Sequence, residues 1–181
     1  MTRYHDNPAA VAALVRDTEV HKDCYISDEV FALEMEQLFA NTWVYVGHAS
    51  QIPKPGDFYG TTVGDQPVIM VRHTDGSIKV LYNRCAHKGV QIAPEGCGHT
   101  GKFFRCPYHA WTYRTDGKLL SIPLKKGYDN TGFDTCEASR GLAAVGAVEV
   151  YREFVFCRLN PEGIAFAEFF GPSLSTLDNM V

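Results

Sequence analysis

The chain has 181 residues, is 45% hydrophobic and 21% charged, and carries a net charge of −4; that is enough apolar material for a core without disulfide staples. The mildly negative balance argues against nucleic acid or an anionic membrane surface as a main partner. No apolar run approaches the ~18 residues of a transmembrane helix, no basic-then-apolar export signal opens the chain, and the six cysteines lack the spacing of a disulfide framework, so the expected compartment is the reducing cytoplasm.

Residues 1–26 are polar and mixed, with Pro8, and read as an arm or a short helix. Ser27 is placed as an N-cap, with Asp28 and Glu29 at the positive end of the helix that follows. The spacing of Phe31, Met35, Leu38 and Phe39 predicts a helix over 28–40 with those four on its apolar face. From Trp43 the texture changes to short runs of Val, Ile, Tyr and Phe broken by Gly, Pro and Asp. Strands are expected at 43–48, 57–63, 67–72, 77–82, 102–105, 111–114, 118–121, 145–151 and 154–159. Asp75-Gly76 and Asp116-Gly117 are hairpin turn signals. The tail from Pro161 reads as a loop running into a helix near 165–170. The expected fold is mainly β, a small antiparallel sandwich or barrel over 43–160. An N-terminal arm and helix (1–42) precede it, and a linker-like tail (161–181) follows.

Chemistry concentrates in two short words, Cys85-Ala86-His87 and Cys106-Pro107-Tyr108-His109, separated by 18 residues. Each offers one thiolate and one imidazole from a loop, the first followed by Lys88-Gly89 and the second opened by Pro107. Two mixed pairs suit a two-iron cluster with unlike ends, two thiolates on one iron and two imidazoles on the other. A single zinc is the rival, but zinc sites usually pair Cys with Cys and His with His at longer internal spacings. Cys97 lies between the pairs and reads as a free thiol. Cys24, Cys136 and Cys157 read as small core or surface residues, and His48, His73 and His99 as core-bordering or surface imidazoles. Trp111 and Tyr113 are expected to pack beneath the second loop.

The pattern C-x-H followed by C-x2-H is that of Rieske [2Fe–2S] proteins. The longer words Asn83 to Gly89 and Cys106 to Tyr113, with Phe31 to Phe39, Trp43 to Gly47 and Ile52 to Phe58 before them, resemble the N-terminal part of the α subunit of bacterial aromatic-ring-hydroxylating dioxygenases. Small departures are Lys88, where that family often has Arg, and Ala110, where it often has Gly. The resemblance implies a Rieske fold with two cluster-binding loops and Cys85, His87, Cys106 and His109 as ligands of a [2Fe–2S] cluster. Unlike Rieske proteins of respiratory complexes, the chain has Val90 and Tyr108 where a loop disulfide would stand, and Ala110-Trp111 in place of a hydroxyl residue. A low potential within the class is therefore implied. The resemblance further implies a role moving electrons from a reductase or ferredoxin to a mononuclear non-haem iron that activates O2, in a catalytic domain of a neighbouring α subunit. The complete α subunit is expected to be trimeric, in some cases with β subunits. No His follows His109, so that second iron site is not expected within these residues, and no catalytic residue is assigned here. The competing reading is a free-standing Rieske-type ferredoxin.

Overall fold

The computed structural model describes residues 3–134 and 140–180. Among these, ten strands form: β1 (Val44–His48), β2 (Asp57–Val63), β3 (Gln66–Arg72), β4 (Ile78–Tyr82), β5 (Gly96–His99), β6 (Phe103–Arg105), β7 (Thr112–Arg114), β8 (Leu119–Ser121), β9 (Ala147–Tyr151) and β10 (Phe154–Arg158). They pair antiparallel in three open sheets of order β1-β10-β9, β4-β3-β2-β5 and β6-β7-β8. The mainly β, antiparallel expectation holds, as layered open sheets rather than a closed barrel.

Strand alternation stacks the layers. Side chains on successive strand residues point to opposite faces. In the four-stranded sheet Phe58, Ile69, Val71 and Leu81 turn one way, onto Phe104, Trp111, Tyr113 and Ile122 of the β6-β7-β8 layer. Their neighbours Val63, Val68, Met70 and Val80 turn the other way, onto Val46, Val155 and Cys157 of the β1-β10-β9 layer. The central sheet is thus covered on both faces. The turns at Gly76 and Gly117 sit at φ 88° and 90°, as the Asp-Gly pairs require.

Each expected strand forms, with ends displaced by about one or two residues. One strand was not expected: β5, whose Gly-Cys-Gly-His sequence has no β-branched or aromatic residue. The glycine that hides it also explains it. A Cβ at Gly98 would overlap the Phe58 ring, so the edge strand lies tight over an aromatic of the core.

The N-terminal segment forms three short helices, α1 (Pro8–Ala12), α2 (Asp23–Ile26) and α3 (Asp28–Leu33), and α3 runs on as a π-helix over Glu34–Phe39. Ser27 caps α3 as expected, accepting from the Val30 amide. The apolar face differs from the expected one. Phe31 and Leu38 are 59% and 51% exposed, while Val30 is buried with Tyr4 and Leu14. Phe31 lies on α3 ahead of the π-helix, next to the position that the buried Val30 takes; within the π-helix the wider turn sets Leu38 off a uniform 3.6-residue stripe. Met35 and Phe39, within the π-helix, are partly buried and pack at Gly64.

The arm is held by Glu29, whose carboxylate accepts the amides of Arg3, Tyr4 and His5 at 3.0, 2.6 and 2.9 Å. Those bonds, the Tyr4 amide foremost, hold its pKa below the ordinary 4.5. A depressed folded pKa stabilises fully above the unfolded value and is lost as pH falls through the folded one. Amide exchange at Tyr4 should therefore be slow at pH 6 and accelerate only below about pH 4.5, whereas in Glu29→Gln it should be fast at both.

The tail folds back on the first sheet. α4 (Phe166–Phe170) sets Phe166 edge-on to Trp43 at 5.4 Å. The Trp43 indole and the Arg158 guanidinium both donate to the Ile164 carbonyl. α5 (Leu174–Asp178) ends on Asp178, which accepts from the Tyr151 hydroxyl and from Arg152.

Candidate metal centre

The two Cys/His words occupy two loops at one end of the molecule, the first between β4 and β5 and the second between β6 and β7. Both loops close by the same hydrogen-bond pattern. In the first, the Cys85 amide donates to the Val90 carbonyl and the Gly89 amide to the Cys85 carbonyl, each at 2.8 Å. In the second, the Cys106 amide donates to the Trp111 carbonyl at 2.8 Å and the Ala110 amide to the Cys106 carbonyl at 3.0 Å. The fifth residue of each turn takes a left-handed conformation, Gly89 at φ 72° and Ala110 at φ 57°. At Ala110 that conformation costs an L-residue about 1–2 kcal/mol, which the closed loop must offset.

Asn83 ties the first loop at its base. Its side chain accepts from the amides of Ile92 and Ala93 and donates to the Ala93 carbonyl, and the residue is 2% exposed. Tyr113, fully buried on β7, reaches across to the first loop. Its hydroxyl lies 3.1 Å from Cys85 Sγ and accepts from the Ala86 amide. Burial, and then the Cys85 contact, push the phenol's pKa far up, so it stays protonated and is a donor toward a thiolate. Trp111 does not lie only under the second loop: its indole stacks on the His87 ring of the first, centroids 4.9 Å apart and planes within 3°.

All four proposed donors gather at this end of the fold. Cys85 and Cys106 are 4% and 3% exposed, on the inner side of the loops in the core of the β6-β7-β8 layer. His87 is half-buried and His109 exposed, their ring centroids 4.7 Å apart. The thiols therefore sit inward and the imidazoles outward. Burial, then the charges of His109 and Lys88, lower the His87 pKa and favour the neutral imidazole that binds metals. His87 Nδ1 is buried and has no hydrogen-bond partner. Buried polar atoms are nearly always paired, so an orphaned imidazole nitrogen beside a second imidazole fits a metal ligand. Among the described residues no three His, Cys, Asp or Glu side chains are placed to share one metal ion; a two-iron cluster asks for only two protein ligands at each iron.

The other candidates have ordinary partners. His48 Nδ1 pairs with Ser50 Oγ, His73 Nδ1 with Thr115 Oγ1, and His99 Nδ1 with Asp57. Cys97 is exposed on β5, Cys24 is half-buried and Cys157 is buried. Cys136 lies outside the described residues. Sequence reasoning gave no role to Asn83. It placed Tyr113 as packing, with no sign that its hydroxyl meets a cysteine 28 positions earlier.

A layered β domain presenting two matched Cys/His loops is the scaffold of a small metal-cluster protein. The chain belongs to the Rieske [2Fe–2S] domain family, whose model matches residues 42–144. It is 32% identical over 157 residues to benzene 1,2-dioxygenase subunit alpha of Pseudomonas putida, covering 87% of this chain and 34% of that one. It is 36% identical over 154 residues to N,N-dimethyl phenylurea N-demethylase subunit alpha of a Sphingobium species, covering 85% and 33%. Naphthalene 1,2-dioxygenase from a Rhodococcus species, solved with indole bound, superposes with a TM-score of 0.82 at 30% identity, over 91% of this chain and 37% of that one. The chain spans about a third of the length of these relatives.

Proposed function

We propose that this domain is the electron-entry part of an aromatic-ring-hydroxylating oxygenase α subunit, with the thiolates of Cys85 and Cys106 on the inner iron and the imidazoles of His87 and His109 on the outer iron of a [2Fe–2S] cluster. The observation that carries this is the matched pair of loops with thiols inward, imidazoles outward and His87 Nδ1 left without a partner. The cluster supplies one-electron redox chemistry. The chain's own residues fix the rest. The buried thiols keep one end dry, the Tyr113 hydroxyl donates to the Cys85 sulfur, and the Trp111 indole fixes the plane of the His87 ring. The half-exposed imidazoles are the short route between the centre and a partner at the surface.

On this reading the donor is a reductase or ferredoxin. The acceptor is a mononuclear iron in the catalytic domain of a neighbouring α subunit, within a trimer of complete α subunits, with or without β subunits. The site of action is the cytoplasm; among the described residues no helix is long and apolar enough to cross a membrane. The relatives' own names, an alpha subunit of a benzene dioxygenase and one of a phenylurea demethylase, support the oxygenase assignment over a free-standing ferredoxin.

The purified chain is expected to be brown and to hold about two irons and two acid-labile sulfides per polypeptide. One equivalent of zinc without sulfide would overturn the assignment.

A further inference from the structure

The outer face of the β6-β7-β8 sheet carries a slot that the metal centre does not use. Successive strand residues point to opposite faces. Phe104 and Tyr113, paired across β6 and β7, are buried in the core, so the next pair, Phe103 and Arg114, faces outward. That pair stands at the end of the two strands away from the 106–111 loop. Beside it lies a slot of about 330 Å³, lined by Phe103, Arg114, Lys102, Leu120, His73 and Thr74. Phe103 and Leu120 supply its apolar surface, 44% and 45% exposed. The His73 ring is a fixed wall, because its Nδ1 lies 2.6 Å from the hydroxyl of the fully buried Thr115.

The charge at this slot is unmatched. Lys102 and Arg114 are exposed, and among the described residues neither side chain has a hydrogen bond or an ion pair. The acids of the two adjoining turns are engaged elsewhere. Asp75 accepts from the amide and the hydroxyl of Ser77. Asp116 accepts from the Lys118 amide, and its other oxygen lies 3.6 Å from the Lys118 ammonium. Two free cations beside an aromatic and an aliphatic side chain favour one kind of occupant. A neutral apolar molecule leaves the cations unused, and a bare inorganic anion leaves Phe103 and Leu120 wet. A carboxylate on a small apolar body meets both, since a guanidinium can take a carboxylate through two parallel hydrogen bonds. The volume is at the low end of the ~300–1,000 Å³ of small-molecule pockets, which limits the body to one ring or a short chain.

We infer that this slot is a binding site for a small apolar monocarboxylate, its carboxylate held by Arg114 and Lys102 and its body laid on Phe103 and Leu120. The inference goes beyond the electron-transfer function proposed above and does not depend on it: none of the six residues is a proposed cluster ligand or touches one of the two imidazoles through a recorded contact.

The test follows the fluorine NMR signal of para-fluorobenzoate as the full chain is titrated into it at neutral pH and low salt. Kd should be on the order of 1 mM, as suits a ligand of about ten non-hydrogen atoms. The neutral isostere, para-fluorobenzyl alcohol, should bind roughly tenfold more weakly. Hexanoate should displace the probe, while acetate and inorganic phosphate at the same concentration should not. Arg114→Gln and Lys102→Gln should each raise Kd roughly five- to tenfold, and Arg114→Lys should recover part of the loss. Phe103→Ala should raise it several-fold. Lys22→Gln removes the same charge from the distant arm and should leave Kd as it is. The substituted side chains are exposed, and an unchanged thermal midpoint checks that each variant is folded. A probe signal that never responds, equal binding of the alcohol, or displacement by phosphate as readily as by hexanoate would overturn the proposal, and none of these needs a variant. Equal losses from Lys22→Gln and Arg114→Gln would overturn it as well.

Discussion

Cys106→Ala is expected to purify colourless, its iron falling from about two per chain to below about 0.2, and Cys85→Ala should do the same. The magnitude follows from the lack of a substitute. A thiolate must come from the inner side of the loops, and the remaining described cysteines are elsewhere. Cys97 is exposed on the edge strand, paired across from Tyr59. Cys157 lies in the core on the opposite face of the central sheet, and burial pushes its thiol up to about 12, so it is a poor source of thiolate at neutral pH. Cys97→Ala should therefore keep the full metal content, which separates loss of a ligand from a general effect of removing cysteine. His87→Ala and His109→Ala should lose the cluster too, since each leaves the outer iron with a single protein ligand. Iron and sulfide assays with the visible spectrum read all five variants. Retention of the spectrum in Cys106→Ala would remove that residue from the ligand set.

Much of the fold could be read from the sequence because its strands obey a local rule. Val68-Ile69-Met70-Val71 is buried on both faces, and Phe58 and Tyr59 divide between two cores, because the sheet to which they belong is a middle layer. Runs of that kind announce themselves. β5 did not, because its identity as a strand lies in a tertiary contact: Gly98 is needed under the Phe58 ring, and only the folded structure shows that ring. The helix after Ser27 shows the converse. Its start was legible through a cap and two acids within a few residues, while its apolar face was half right: Met35 and Phe39 are partly buried as placed, but Phe31 stands exposed next to the buried Val30, and Leu38 is exposed within the π turn.

The four donors were legible because metal ligation constrains residue type at short spacing. What supports them was less so. Asn83 and Tyr113 act through contacts that span 9 to 28 positions, and nothing in their neighbours distinguishes them from ordinary strand-end and core residues. Substrate is a different matter. Chains named for benzene and for a phenylurea resemble this domain at similar identity, so likeness to it does not single out a substrate.

Tyr113→Phe should lower the midpoint potential by on the order of 50 mV while keeping the cluster. The loaded chain is expected in the lower part of the Rieske range, roughly −150 to 0 mV, because the loops carry Val90 and Tyr108 rather than a disulfide and Ala110-Trp111 in place of a hydroxyl residue. Within that setting the Tyr113 hydroxyl, 3.1 Å from Cys85 Sγ, is a fully buried donor to a sulfur. Reduction adds negative charge, so a donor to sulfur is worth more in the reduced state, and removing it disfavours reduction. A differential of about 1 kcal/mol, the usual scale for one hydrogen bond, corresponds to roughly 40–60 mV for a one-electron couple. The same change leaves the Ala86 amide without its acceptor, which should cost about 1–2 kcal/mol in stability even without the cluster. The ring itself stays, so the core around Phe104 and Leu81 keeps its volume. Tyr108→Phe, a hydroxyl lost from an exposed ring on the other loop, serves as the control and should move the potential by less than about 10 mV. Titration of the three proteins side by side decides the matter: if Tyr113→Phe matches the parent within that margin, the hydroxyl does not tune the sulfur, and its bond to the Ala86 amide is the whole of its role.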